Sequence, residues 1–485
     1  MTYYQVPLYV VLTEVQDGIV VPGVYGEQDF SQAAAGLPSG ARKVIIIAQR
    51  IAAGTVAEKT VYRPFSDAEV AAKSGIGSVA HLMARAAFKR NPQVDLSIVT
   101  LDDNAGGVAA QGTFTFTGPA TSAGTVRIFI GDQYVDVAIA AGDSATDIAT
   151  AVKAAVNAKA DFPATADNVA GVLTTTAKNK GKCGNEIGLG YQLSGAAGVT
   201  CTIVAMANGA ADPNIADATD LLVGAKYDIY CTSLNDQPSL QSLRTHLNSI
   251  SGPVAPKSAI AIYATTGAYA SATSLANAVN VLREAAPWAP YTAATQKKTP
   301  SFMVAAIGAA AEVGRKIGTP TKNLDMTGVS APDIADRPPW GQLQGAISNG
   351  VSPIVMGPGE KPQLIRMPTT YTSDANSQPV LVDLFKVTCM DAVRDALIAN
   401  ISAMAPDKIR EKDEDHPLST LDICKNIAKH TAYQCQKADW LTGVNQVENY
   451  FIVERDVQNR QQINYKVPSP VGDGAYVHAL QIIMM

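Results

Sequence analysis

The chain alternates between segments of helical and of strand periodicity, and the order of those segments predicts its architecture. Its opening stretch, MTYYQVPLYVVLTEVQDGIV, is β-prone and apolar, and reaches a proline–glycine turn at Pro22 and Gly23 before any core element begins. KVIIIAQ (Lys43–Gln49) is a continuous apolar run, the pattern of a parallel strand buried on both faces. Two helical patterns follow. SDAEVAAKSG starts from a serine cap, and GSVAHLMARAAFKRN ends in Lys89 and Arg90, where cations suit a helix C-terminus. VDLSIVTLDD (Val94–Asp103) then reads as a second buried strand, giving the strand, helix, strand rhythm of a parallel α/β fold.

At Asn104 the period changes to two. Residues 104–210 alternate polar and apolar positions between glycine-rich turns, which predicts a half-exposed antiparallel sheet. One helix, SATDIATAVKAAVNA, interrupts it behind a capping box from Ser144 to Asp147. From Asn214 the α/β rhythm resumes: helix IADATDLLVGA, strand YDIYCTSL, helix PSLQSLRTHLNSI, strand KSAIAIYATTG, helix ATSLANAVNVLREAA, and one more helix and strand within residues 325–359. A β-rich unit is therefore inserted at the exit of one α/β strand, where insertions are tolerated. From Leu381 a long amphipathic helix, a charged loop PDKIREKDEDHP and the helix STLDICKNIAKHTAYQCQKADW precede a strand-like VENYFIVERDV and an open tail. The expected division is an N-terminal arm at 1–21, an α/β domain at 22–103 plus 211–368, an inserted β-rich domain at 104–210, a C-terminal α+β domain at 369–467 and a C-terminal arm at 468–485.

Composition narrows the function classes. At 485 residues the chain is long enough for several cores without staples. Its 38 basic and 43 acidic side chains leave a net charge of −5 with no polybasic block, which argues against a dedicated nucleic-acid or membrane surface. Only 17% of residues are charged, a surface that favours extended protein–protein contact. Cys183, Cys201, Cys231, Cys389, Cys424 and Cys435 form no CxxC pair, and the opening stretch has no signal-peptide pattern, so they are expected as reduced, buried thiols.

Candidate chemistry is thin. Gly75–Ala80 fits a dinucleotide-binding glycine pattern but follows a helix rather than a strand, so it reads as a helix-joining turn. Gly357–Lys361 lacks phosphate-loop spacing and reads as a hairpin turn. The histidines 81, 246, 416, 430 and 478 lie in separate elements without a zinc-type partner. Ser352 is followed by Pro353, which removes an N–H that an oxyanion hole would need. The carboxylates of Arg410–His416 alternate with cations as on a solvated loop. No catalytic residue, metal site or cofactor is expected. The two ends are the unusual feature: Val6, Leu8, Val10 and Leu12, and Tyr476, Val477, Leu480 and Ile482, are apolar where free tails are polar. Each end either folds back on its own domain or adds a strand to a neighbouring subunit, with Pro22 and Gly23 as the hinge of the first.

Several segments, in their order, carry a family resemblance: VPGVYGE with RKVIIIAQR, NPQVDLSIVTLDD running into GTFTFTG, TTAKNKGKCGNEIGL, MPTTYTSDANSQPVLVDL, and FIVERDVQNRQQINYKVPSP. In these the chain resembles the sheath proteins of contractile phage tails, most closely those of Mu-like phages, over nearly all of residues 22–485. The resemblance implies a subtilisin-like, non-catalytic α/β core, an outward β-rich insertion, a C-terminal α+β sheath domain nearest the tail tube, and extended arms that join sheets of neighbouring subunits. It implies hexameric rings stacked into a helical sheath that contracts for genome ejection. The implied partners are further copies of the chain, the tail tube protein, and baseplate and tail terminator proteins, with no direct nucleic-acid contact and no membrane insertion. The implied location is the virion tail, after assembly in the host cytoplasm. Lys408, Arg410 and Lys412 are the expected tube contact, with an outward solvated loop as the alternative. The rivals are a cryptic α/β enzyme, a hydrolase or nucleotide-binding protein with an accessory β domain, and a cell-surface adhesive protein, which would call for an export signal.

Overall fold

The computed structural model describes residues 42–476 apart from 255–256, 292–296, 375 and 413–417. Lys43–Gln49 forms a strand whose residues after Lys43 are all buried. It pairs in parallel with Asp95–Leu101 on one side and Ile229–Thr232 on the other. Ile260–Ile262, Glu284–Ala289 and Val351–Met356 continue the parallel order outward. Short antiparallel strands, Pro362–Leu364 with Leu324–Asp325 and Val61–Tyr62, close the two edges of what is a ten-stranded sheet among the described residues.

The apolar run of the first strand follows from burial on two sides. Val44, Ile46 and Ala48 pack in one layer with the helices Val79–Arg90 and Ser301–Val313. Ile45 and Ile47 pack in the other layer with Ala216–Leu222 and Gln237–Ile250. Alternation vanishes because both faces of the pleat are core. The helix Asp67–Ser74 turns into Val79–Arg90 through Gly75, whose φ of 91° and 2.3 Å clearance from Ile51 for an added Cβ require glycine. Ser78 then caps the second helix by accepting from the His81 N–H. The Gly75–Ala80 motif is thus a turn between helices.

Three sequence expectations are corrected here. Residues Glu284–Ala286, expected as the end of a helix, begin the fully buried central strand Glu284–Ala289, because the preceding helix Tyr269–Val279 stops at Asn280 in the left-handed conformation. Ser301–Val313 is a helix the periodicity did not show: twelve of its thirteen residues are buried, so it has no polar stripe. Ile463–Lys466, expected as open tail, pairs antiparallel with Ile452–Arg455.

Residues 109–207 form an antiparallel four-stranded sheet (Cys201–Ala207, Ala109–Phe116, Val172–Lys180, Ala164–Val169) and a three-stranded one (Gln133–Ile139, Gly124–Ile130, Leu189–Gly195). Val172–Lys180 alternates buried and half-buried positions along its length. Between the sheets lies a separate core of Phe114, Val126, Ile128, Phe162 and Leu173. The helix Ala145–Ala158 contributes Ile148, Val152 and Val156 at helical spacing, and its capping box between Ser144 and Asp147 is present in full.

The described chain divides into two compact units: residues 394–435 with 444–468, and residues 42–393 with 436–443 and 469–476. In the smaller unit, the second half of the helix Leu384–Met404 meets the helix Thr420–Lys437, and Asn400 donates to Thr431 Oγ1 at 3.0 Å. The Ile452–Arg455 hairpin completes that unit.

Candidate functional site

A cluster of buried and half-buried polar side chains joins the insertion to the α/β core. Gln49, last in the first core strand, donates to Asp103 Oδ1 at 2.6 Å and to the Lys180 carbonyl at 2.8 Å. Asp103 also accepts from Asn179 Nδ2 at 2.9 Å and from the Lys180 N–H at 2.9 Å. Asn179 donates in addition to the Arg50 carbonyl and accepts from the Val79 N–H at 3.0 Å, tying the insertion to a helix start. The Cys183 thiol donates to Gln49 Oε1 at 3.1 Å, and burial pushes its pKa far up, so it is a packed donor rather than a nucleophile.

A second set lies alongside. Asp212 Oδ1 accepts from the Lys182 N–H at 2.6 Å. Burial, and next the adjoining Asp236, raise the Asp212 carboxyl to about 6. Asp236 itself caps the helix Gln237–Ile250 through the Ser239 N–H. Glu186 takes bonds from Asn235 and Thr266, while burial raises its pKa. The segment Asn179–Glu186 is therefore a polar joint that fixes the insertion to its core, and it lies inside one of the motifs that carried the family resemblance. Its partners Gln49, Asp103, Asp212 and Asn235 are scattered along the sequence. Only the polar, glycine-rich texture of NKGKCGNE signalled it.

Val6, Leu8, Val10, Leu12, Pro22, Gly23, Val477, Leu480 and Ile482 lie outside the described residues. Tyr476 lies within them. It is not in a strand; its ring stacks 4.2 Å from the Arg366 guanidinium, which Asp383 holds through bonds of 2.8 and 2.9 Å. The segment before it is tied down by the Thr442 N–H to the Pro470 carbonyl at 2.8 Å, by Lys386 to Asp473, and by Lys322 to the Ala475 carbonyl at 3.3 Å. Residues 470–476 thus rest on their own chain.

Lys408, Arg410 and Lys412 are exposed, in the smaller unit. The backbone of Lys408 and Arg410 is pinned by Thr420, whose hydroxyl donates to the Lys408 carbonyl at 2.8 Å and accepts from the Arg410 N–H at 2.9 Å. The arrangement presents these side chains from an ordered backbone.

The candidate catalytic groups are in structural places. Gly77 N–H donates to His81 Nδ1, and burial lowers the His81 pKa to about 4. His246 meets the buried Tyr230 hydroxyl at 3.2 Å. His430 pairs with Gln434, while His416 and His478 are outside the described residues. Ser352 is buried inside a strand, and Gly357–Lys361 turns between antiparallel strands. All six cysteines are free and buried. Among the described residues no cluster of His, Cys, Asp or Glu is arranged to hold a metal ion.

Geometry of this kind defines a structural α/β scaffold with a rigidly joined insertion and a separate helical unit. No family model matches the chain. It is similar over nearly its whole length to the Mu-like prophage FluMu tail sheath protein of Haemophilus influenzae, at 26% identity over 481 residues covering 96% of this chain and 97% of the relative. Solved structures similar to it include the sheath tail protein of Desulfitobacterium hafniense (13% identity, 90% of this chain and 94% of that one, TM-score 0.48). Another is the helical sheath of the anti-feeding prophage in its contracted state (12% identity, 96% and 99%, TM-score 0.49). The chain is a homologue of a tail sheath protein, which is a structural component and not an enzyme. The resemblance read from the sequence stands, and the cryptic-enzyme alternative gives way to it.

Proposed function

We propose that the chain polymerises as stacked hexameric rings around a tail tube and that contraction of this sheath drives the tube through a host envelope. The observation that carries this reading is the similarity to a tail sheath protein across 96% of this chain and 97% of that relative. The parallel core is a subtilisin-like domain without a triad, built from residues 22–103 and 211–368. The insertion at 104–210 faces outward, the 369–467 domain approaches the tube, and the arms at 1–21 and 468–485 pair with neighbouring subunits, the second beyond the segment 470–476 that rests on its own chain. The partners are other copies of the chain, the tube, the baseplate and the tail terminator. Assembly takes place in the host cytoplasm and the product is the virion tail.

The polar joint supports this mechanism, because an insertion bound to the core through Gln49, Asp103 and Asn179 travels with it as one body during a lattice rearrangement. The energy is stored as a difference in inter-subunit contact. About 5.5 kcal/mol per cooperative unit suffices to move a two-state lattice from 1:99 to 99:1. Electron microscopy of the purified chain at rising concentration, with and without tube protein, tests the proposal. Hollow tubes or stacked rings are expected, and dispersed monomers in both conditions overturn it.

A further inference from the structure

An open cleft of about 290 Å³ lies between the insertion and the core. Arg85 and Lys89 enter it from one face of the helix Val79–Arg90, four residues apart. Lys159 enters from the C-terminal cap of the insertion helix, and Lys297 from the segment ahead of the helix Ser301–Val313. The floor is apolar, made by Ala86, Met303 and Ile307.

Charges in the cleft do not balance. Asp161 and Asp132 both face Arg85, at 2.8 and 3.3 Å. The opposing signs leave an excess of two positive charges, four cations against two carboxylates. Lys89, Lys159 and Lys297 form no ion pair among the described residues. Among the described residues the Lys159 ammonium donates to the Tyr134 carbonyl at 3.2 Å and lies 5.1 Å from the Phe162 ring centroid. Lys297 is half-buried; burial lowers its pKa first, and Lys89, Arg85 and Lys159 lower it further, with Asp132 acting in the opposite sense. Like charges held together on two sides of a concave, partly desolvated site are destabilising unless an anion joins them.

We infer that this cleft binds a phosphate-class oxyanion, which bridges Lys159 of the insertion to Lys89 and Lys297 of the core. Three ammonium groups are compact point charges without the planar fork that matches a single carboxylate, and they suit a tetrahedral polyanion. An excess of two charges calls for a ligand carrying more than one. The volume lies at the small end of ligand pockets, enough for phosphate or pyrophosphate and too little for a nucleotide with its base enclosed.

Isothermal titration of the full chain with inorganic pyrophosphate, at ionic strength held constant with sodium chloride, tests the site. One saturable site per chain is expected. The double variant Lys89→Gln with Lys297→Gln weakens it at least tenfold. Lys153→Gln, at an exposed lysine paired with Asp167 elsewhere on the insertion, leaves it unchanged. Asp132→Asn tightens binding several-fold by removing a competing charge, a gain that misfolding cannot mimic. Absence of saturable heat overturns the assignment, as does equal affinity in the wild type and both cleft variants.

Discussion

Gln49 Nε2 lies 2.6 Å from Asp103 Oδ1, so the last side chain of the first core strand holds the residue at which the neighbouring strand departs into the insertion. The same carboxylate accepts from Asn179 and from the Lys180 backbone, where the insertion strand Val172–Lys180 ends. One acidic group thereby ties the core strand, the outgoing chain and an inner strand of the insertion together. Asp103→Ala removes all three bonds and leaves the Lys180 N–H without its acceptor, at a cost of about 3 kcal/mol. Chemical denaturation is expected to show this loss together with an earlier, separate transition of the insertion, and an unchanged midpoint refutes the role given to the joint.

The buried Glu284 is expected to make stability fall as pH rises toward its folded pKa, while His81, lowered to about 4, works in the opposite sense below about 6.5. Glu284 is wholly buried, neither carboxylate oxygen has a hydrogen-bond partner among the described residues, and burial raises its pKa to about 8 against the opposing pull of Arg244. Between the unfolded value of about 4.3 and the folded value, the folded state binds more protons than the unfolded one, so unfolding becomes easier as pH increases through this window. Asp212, raised to about 6, acts in the same direction over the lower part of it. Glu284→Gln is expected to flatten the slope between pH 6 and 8 in thermal melts. A slope identical to wild type contradicts the burial of an ionisable Glu284.

Much of the fold is legible in the sequence, and the failures have physical causes. Lys43–Gln49 and the Ser144 capping box are local signals, and both stand where expected. The helix Ser301–Val313 has no polar face to give it a period. In Glu284–Ala289, an alanine-rich helix-like composition was overruled by burial between two parallel strands. The polar joint draws Gln49, Asp103, Asn179 and Asp212 from distant parts of the chain, and no local pattern encodes which polar residues meet. Tyr476, named from its apolar setting in the tail, packs over Arg366 of its own chain, where Asp383 fixes that guanidinium, and no local pattern signals that contact.

That clasp sets how far the C-terminal segment stays with its own chain. Tyr476→Ala is expected to weaken its attachment by about 1 kcal/mol, the scale of one cation–π contact. Limited proteolysis then cleaves the segment roughly five times faster while the circular dichroism spectrum is retained. Equal cleavage rates would remove Tyr476 as an anchor.

The Thr420-pinned loop is the proposed tube contact. Reversing Lys408, Arg410 and Lys412 to glutamate is expected to reduce co-sedimentation with tube protein to background without lowering the melting temperature, since all three side chains are exposed. Undiminished co-sedimentation assigns the loop to the outer, solvated surface.

Electron microscopy of the chain lacking Met1–Val20, beside the intact chain and in the presence of tube protein, tests self-assembly through exchanged arms most directly. The account predicts long sheaths from the intact chain and folded, dispersed monomers from the truncated one. Long sheaths formed by the truncated chain would contradict it.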